Sequence, residues 1–196
     1  MDGIINYAGL ARKIRSELEV SLGKNVNHGA IVMALKRLAP DYYYQLSKGI
    51  KGLLDKLGDF TVRSNLTDHT YCNSTTLLIR QKDILEQAVQ KSSAFYSFNQ
   101  GSYESTIVAS KVLDQVIDEL LKDEKLIQRR TKLAAITIIL PSENIEVSGL
   151  YYYIFRQLAW ADINVIEVIS TTNEFTVVVN EDEVERGFQI LRRLKR

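Results

Sequence analysis

The N-terminal part of the chain carries apolar residues at helical spacing. Between residues 4 and 22 they recur every three or four positions, which predicts one amphipathic helix. The predicted stripe consists of Ile4, Ala8, Ala11, Ile14, Leu18 and Leu22. Gly23 is expected to end this helix, because glycine readily takes the left-handed conformation found at helix C-termini.

Two more helices are predicted before residue 58. Asn27 is a candidate N-cap for a helix that runs through Leu38. Its expected buried positions are Ile31, Leu35 and Leu38. Pro40 either stops that helix or opens the third one. The third helix is expected to bury Tyr43, Leu46, Ile50, Leu53 and Leu57 and to stop at Gly58. Residues 1–58 are thus predicted to form a three-helix unit.

This helical unit is mildly basic, with nine Lys/Arg against five Asp/Glu. A short link before the second helix is compatible with a helix-turn-helix, which would present its polar and basic residues to DNA. The candidate DNA-binding residues are Asn27, His28, Lys36 and Arg37. The alternative is a small helical bundle whose charged face is only solvated. Double-stranded DNA therefore stays one of two hypotheses for this unit.

From Asp59 onward the pattern changes to the alternation of strands and then repeats itself. At a spacing of 70 residues, Glu104, Thr106 and Val108 match Glu174, Thr176 and Val178. Nine identities fall between residues 59 and 126 at this spacing, without a gap. We interpret residues 59–130 and 131–196 as two copies of one unit.

Each copy is predicted to have the order β-α-β-β-α, as in a ferredoxin-like unit. The second copy predicts a strand over 134–140, a helix over 147–162, strands over 165–170 and 175–179, and a last helix from about Asp182. Leu126 and Ile127 could give the first copy a fourth strand, whereas the second copy ends without one. We therefore predict an α+β fold whose second sheet has an open edge that a partner or the other copy could cover.

The composition excludes several classes of protein. The single cysteine rules out an intramolecular disulfide, and two histidines leave little room for metal or triad chemistry. No apolar run approaches the ~18 residues of a membrane span, and the N-terminus lacks the pattern of a signal peptide. We expect a cytoplasmic protein that is not an enzyme and has no metal, no cofactor and no membrane partner.

The second copy carries a family resemblance in three segments. They are Gly149 to Ala159, Asp162 to Val165, and Val168 to Thr171. These residues resemble an ACT domain, a small βαββαβ regulatory module that binds amino acids. The tandem arrangement resembles the C-terminal regulatory region of aspartate kinases, where the turn before the second strand has glycine in place of Asp162. The resemblance is good over 134–194 and weak over 60–130.

The resemblance implies a site for a free amino acid between the first strand and first helix, facing the start of the second strand. In the second copy this site maps to Ser148, Gly149, Leu150, Ile163, Asn164 and Val165. Exposed N–H groups at a helix start favour a carboxylate. The first copy has Ile79 in place of Gly149 and Ala94 in place of Asn164, so its site is expected to be degenerate.

The resemblance also implies pairing of ACT units, so we expect a homo-oligomer. The function predicted is an amino-acid-sensing regulator, with DNA as one candidate target of the helical unit. The alternative is a regulatory subunit that controls a metabolic enzyme through protein contacts.

Overall fold

The computed structural model describes residues 6–91 and 94–195, with the side chains of 39–48 left out. The expected burial of Ile4, Tyr43 and Leu46 lies outside that description. The chain divides into two compact units, Met1–Gly52 and Leu53–Arg196. We call them the helical unit and the sheet unit.

The helical unit is built on two helices, not three. Helix α1 covers Tyr7–Leu22, and helix α2 covers His28–Asp55, running on through Pro40. As predicted, Gly23 ends α1 with φ 62° and Asn27 caps α2, its side chain accepting from the N–H of Gly29. The prediction that Pro40 separates two helices is therefore wrong, and so is the predicted burial of Leu38, which is 65% exposed.

The sheet unit contains six strands and four helices in the predicted order. Its first half comprises β1 Phe60–Cys72, α3 Thr75–Gln90, β2 Tyr96–Gln100, β3 Glu104–Ser110 and α4 Asp114–Leu120. Its second half comprises β4 Leu126–Ile139, α5 Leu150–Trp160, β5 Glu167–Ser170, β6 Glu174–Asn180 and α6 Val184–Arg192. Short 3-10 turns precede α4 and α6, and another lies at Ser142–Ile145. The mixed α+β fold is confirmed.

The six strands form one antiparallel sheet in the order β2-β3-β1-β4-β6-β5. The long strands β1 and β4 lie side by side at its centre and each serves both halves. The second part of β1 pairs with β3, and its first part pairs with the second part of β4, where Phe60 faces Ile138. The edge left open by the missing fourth strand of the second half is therefore covered by β1 of the other copy, which is one of the two alternatives that we predicted. The free edges are the outer sides of β2 and β5.

A pair of matching bulges shows how the halves correspond. Asn65 in β1 and Lys132 in β4 both have positive φ, 57° and 58°, and the next residue of each strand pairs with the end of β3 or β6. The central strands thus correspond at a spacing of 67 residues. The later elements keep the spacing of 70, since α4 begins at Asp114 and α6 at Val184. The prediction of a gapless repeat is wrong by a net three residues, because the loop before α5 is eight residues longer than the one before α3 and α5 itself is five residues shorter.

The sheet is buried on both faces near its centre. On the helix side of the first half, Ile84 of α3 and Ile117 of α4 pack against Ile107 of β3. On the other side Leu66, Val108, Leu133 and Val178 form a second cluster that joins the two halves. Burial of both faces accounts for the nearly continuous apolar run over 133–140.

Candidate functional site

The start of α5 is the part of the predicted site with the most distinctive backbone. Gly149 precedes the helix with φ 92° and ψ −1°, a left-handed conformation that glycine takes without steric cost. No side chain among the described residues caps this helix start. The first backbone N–H groups of a helix have no partner within the helix, so they are available to an anion.

The loop that leads into α5, residues 140–149, is fixed from two sides. The buried side chain of Asn144 donates to the carbonyls of Pro141 (2.8 Å) and Thr172 (2.9 Å), which ties the loop to the β5–β6 turn. Lys56 Nζ lies 2.7 Å from the carboxylate of Glu143, and this hydrogen bond lowers the pKa of Glu143. These contacts fix the middle of the loop that precedes Gly149.

Aromatic side chains of α5 pack against the sheet near its β5 edge. The ring of Phe175 lies 4.9 Å from that of Tyr151 and 5.7 Å from that of Phe155. The Tyr151 hydroxyl is 3.4 Å from the Ser170 hydroxyl at the end of β5. The start of α5 therefore lies beside the end of β5.

The other three predicted residues, Ile163 to Val165, follow the far end of α5. Asp162 has φ 54°, and the N–H of Ile163 bonds back to the carbonyl of Leu158 at 3.0 Å. This is a Schellman ending, whose left-handed position favours glycine and tolerates aspartate. Ile163 is buried, whereas Asn164 is exposed.

The predicted ligand residues therefore fall into two groups within one chain. Helix α5 has 11 residues, so its ends lie about 16 Å apart. Ser148 and Gly149 lie at its start, with Leu150 buried beneath them. Asn164 and half-buried Val165 lie beyond its end. One amino acid cannot contact both groups of the same chain.

The first half differs at the same place. Only residues 73 and 74 separate β1 from α3, and Ser74 caps the helix by accepting from the N–H of Leu77 at 2.9 Å. The carboxylate of Glu124 accepts hydrogen bonds from Ser74 (2.6 Å) and Thr76 (2.5 Å). The chain's own carboxylate thus occupies the start of α3, and Ile79 lies inside that helix.

In the helical unit, the predicted DNA-binding residues lie at the start and middle of α2. Lys36 and Arg37 are exposed, and His28 is half-buried. The side-chain oxygen of Asn27 is engaged in capping, at 2.8 Å from the N–H of Gly29. Only its side-chain NH₂ group is left for another partner.

Sequence reasoning missed Asn144 and Glu124. Asn144 lies between the strand predicted over 134–140 and the helix predicted over 147–162, and the separation of Glu124 from Ser74 in the sequence hides their contact. The unequal spacers between first strand and first helix were the available signal. Within the described ranges, no group of three His, Cys, Asp or Glu side chains could hold a metal ion, and no helix is long and apolar enough to cross a membrane.

The geometry defines a class of fold: two β-α-β-β-α halves that share one antiparallel sheet through exchanged central strands. Solved regulatory regions of aspartate kinases have this fold. The regulatory subunit from Thermus thermophilus superposes with a TM-score of 0.55 at 10% identity, over 70% of this chain and 97% of that one. The aspartate kinase of Clostridium acetobutylicum superposes with a TM-score of 0.55 at 12% identity. The match covers 70% of this chain and 34% of the kinase.

E. coli aspartokinase III, in complex with lysine and aspartate, is also similar. It has a TM-score of 0.51 at 13% identity, over 70% of this chain and 32% of that one. No protein-family model and no curated protein matches the sequence. The likeness to aspartate kinase regulatory regions confirms the predicted resemblance at the level of the fold.

Proposed function

We propose that the protein is a non-catalytic regulatory module that binds a free amino acid through the second half of its sheet unit. The ligand's carboxylate would accept from N–H groups at the start of α5, next to Ser148 and Gly149. The similar E. coli structure holds lysine and aspartate, and the proposal carries amino-acid binding from that fold to this chain.

One observation carries this proposal: the first helix of the first half has a side-chain cap at its start, and the first helix of the second half has none among the described residues. In the first half Ser74 caps α3 and Glu124 fills the position with a carboxylate. In the second half the residue before α5 is Gly149, and no side chain of the described residues caps the start of this helix. A helix start that accepts an internal carboxylate in one half suits an external carboxylate in the other.

A second copy of the chain would complete the site. Strand β5 begins near Asn164 and ends at Ser170, beside the start of α5. Two β5 edges that pair antiparallel about a twofold axis would bring the beginning of one strand opposite the end of the other. Asn164 of the second chain would then face Ser148 and Gly149 of the first and offer an acceptor to the ligand's amino group.

Charging the β5 edge should separate the dimer. Val168 is 39% exposed at this edge, and a lysine side chain there should weaken edge-to-edge pairing about tenfold or more. In sedimentation velocity the unmodified chain should form a species of twice 22.3 kDa, and Val168→Lys should shift it to the monomer. Asn99→Lys, at the exposed edge of β2, is the matched control and should leave the dimer intact. A monomeric unmodified chain at micromolar concentration would refute the shared site.

Calorimetric titration tests the proposed function itself. Because Glu124 fills the equivalent position in the first half, each chain should bind one amino acid and not two. Val168→Lys should weaken this binding together with the dimer, and Asn99→Lys should not. If the unmodified chain binds an amino acid and stays monomeric during the titration, the proposed dimer is wrong and the proposed amino-acid binding is supported.

DNA binding by the helical unit is a second candidate function. The observation that favours it is the exposure of Lys36 and Arg37 beside each other on α2, where they could contact phosphates. The competing hypothesis, control of an enzyme through protein contacts, does not require affinity for a duplex.

Removing either basic side chain should weaken duplex binding if this candidate is correct. Lys36→Ala and Arg37→Ala should each weaken binding severalfold and reduce the slope of log affinity against log salt by about one. Both side chains are exposed, so circular dichroism should show unchanged helix content. Lys13→Ala, an exposed change on α1, is the control. Absence of affinity for any genomic duplex would favour the enzyme-partner alternative.

A further inference from the structure

A polar cluster lies between β1, α4 and β4 in the first half of the sheet unit; Thr67 and His69 are buried in it, whereas Arg129 and Asp118 are partly exposed. The fully buried His69 places Nε2 3.4 Å from one carboxylate oxygen of Asp114. The other oxygen accepts from the Thr67 hydroxyl (3.1 Å) and from Arg129 Nη2 (3.0 Å). Arg129 also donates to Asp118 at 2.9 Å. One carboxylate at the start of α4 thus joins the helix to both central strands.

The second half carries apolar side chains at the corresponding positions. The bulges align Thr67 with Ala134 and His69 with Ile136, and the helix starts align Asp114 with Val184. Arg129 is the cross-strand partner of His69, and Val62 is that of Ile136, so Val62 is the counterpart of Arg129. The apolar set supports the same arrangement of strands and helix, so the fold does not require the polar cluster. A polar network around a fully buried histidine that the fold does not require calls for another role.

The buried imidazole is poorly placed to accept a proton. A carboxylate only accepts hydrogen bonds, so Nε2 carries the hydrogen that faces Asp114. Nδ1 is buried and has no hydrogen-bond partner among the described residues, so a proton there would meet no acceptor. Burial lowers the pKa of His69, and the nearby Arg129 adds to this, against the opposing effects of Asp114 and Asp118.

We propose that this cluster is an acid-sensitive latch: neutral His69 holds α4 and the first part of β4 against β1, and protonated His69 favours their release. The charged groups around the ring are Asp114 and Asp118 from α4 and Arg129 from β4. The neighbouring ring on β1 is that of Tyr71, which lies parallel to the imidazole of His69 with 6.4 Å between the ring centroids.

The sign of the pH effect follows from where the proton binds more readily. The pKa of His69 is lowered in the closed latch, and in an open state it returns toward about 6.5. The open state therefore binds more protons below pH ~6.5. The opening equilibrium should rise by up to about tenfold for each pH unit below that value, until the closed form is protonated as well.

Hydrogen exchange followed by mass spectrometry tests the latch directly. Between pH ~7.5 and ~5.5, after correction for intrinsic exchange rates, protection over residues 114–130 should fall about tenfold more than over 181–195. The second segment is the matched control within the same molecule. Replacing the cluster by its counterparts (Thr67→Ala, His69→Ile, Asp114→Val, Arg129→Val) should abolish the difference.

A milder variant covers the case in which the fourfold replacement does not fold. His69→Gln keeps a side-chain donor for Asp114 and cannot titrate, so it should also lose the pH dependence. An equal fall in protection in both segments would overturn the latch, as would a pH-dependent difference that persists in His69→Gln. NMR titration gives a further check, because a His69 pKa above 6.5 would mean that acid tightens the contact.

Discussion

Asp68→Asn should raise the free energy of unfolding by about 2 kcal/mol at pH ~8. Asp68 is 3% exposed on the helix-free face of β1, and its Oδ1 atom is buried without a hydrogen-bond partner among the described residues. Burial raises the pKa of Asp68 to about 6, and the nearby carboxylate of Glu167 adds to the rise against Arg130. A pKa shift from 3.8 to about 6 corresponds to a destabilisation of roughly 3 kcal/mol by the charged carboxylate. The asparagine amide, which is also buried without a partner, would offset part of the gain from removing that charge.

The pH dependence distinguishes this explanation from a change in packing. A carboxyl group whose pKa is raised by folding contributes stability below pH ~4 and loses it as the pH rises through about 6. The advantage of Asp68→Asn should therefore shrink to near zero around pH 4. Urea unfolding at several pH values measures it, with the exposed Asp123→Asn as the control. A stability difference that does not change with pH would contradict the buried charge.

Gly149→Val should abolish stabilisation by the amino-acid ligand. Saturation at ~100 times the dissociation constant adds about 2.7 kcal/mol to stability, and this whole increment should disappear. The reason is twofold: valine is strained at a φ of 92°, and its side chain would occupy the approach to the first N–H groups of α5. Ile79→Val, at the residue aligned with Gly149 at a spacing of 70 but inside α3, should leave the stabilisation nearly unchanged.

A second substitution separates lost binding from lost folding. Asparagine tolerates the left-handed conformation, so Gly149→Asn should fold with little strain and still obstruct the ligand. Thermal unfolding with and without ligand measures both variants, and circular dichroism checks that each is folded. Full ligand stabilisation in Gly149→Asn would show that the ligand binds elsewhere.

The order of elements could be predicted because local patterns encode it. Residues 76–79 are an exception, since they have strand-like propensity and yet lie in α3. Pro40 misled the prediction of the helical unit, because proline is a strong local signal against a continuing helix.

The exchange of central strands could not be predicted from either half alone. Strand pairing joins residues far apart in the sequence, such as Phe60 and Ile138, and a repeat aligned without a gap hides the longer loop before α5. Two local turns beside the predicted ligand residues have positive φ, at Gly149 and at Asp162. Their separation along α5 depends on helix length and direction, which a family pattern does not convey.

The decisive measurement for amino-acid binding is the melting temperature in the presence of each of the twenty free amino acids. We expect that one amino acid, or a small group of chemically related ones, raises the melting temperature of the unmodified protein and of Ile79→Val, and leaves that of Gly149→Asn unmoved. If none of the twenty moves the melting temperature of the unmodified protein, the start of α5 is not an amino-acid site and the sensor function is wrong.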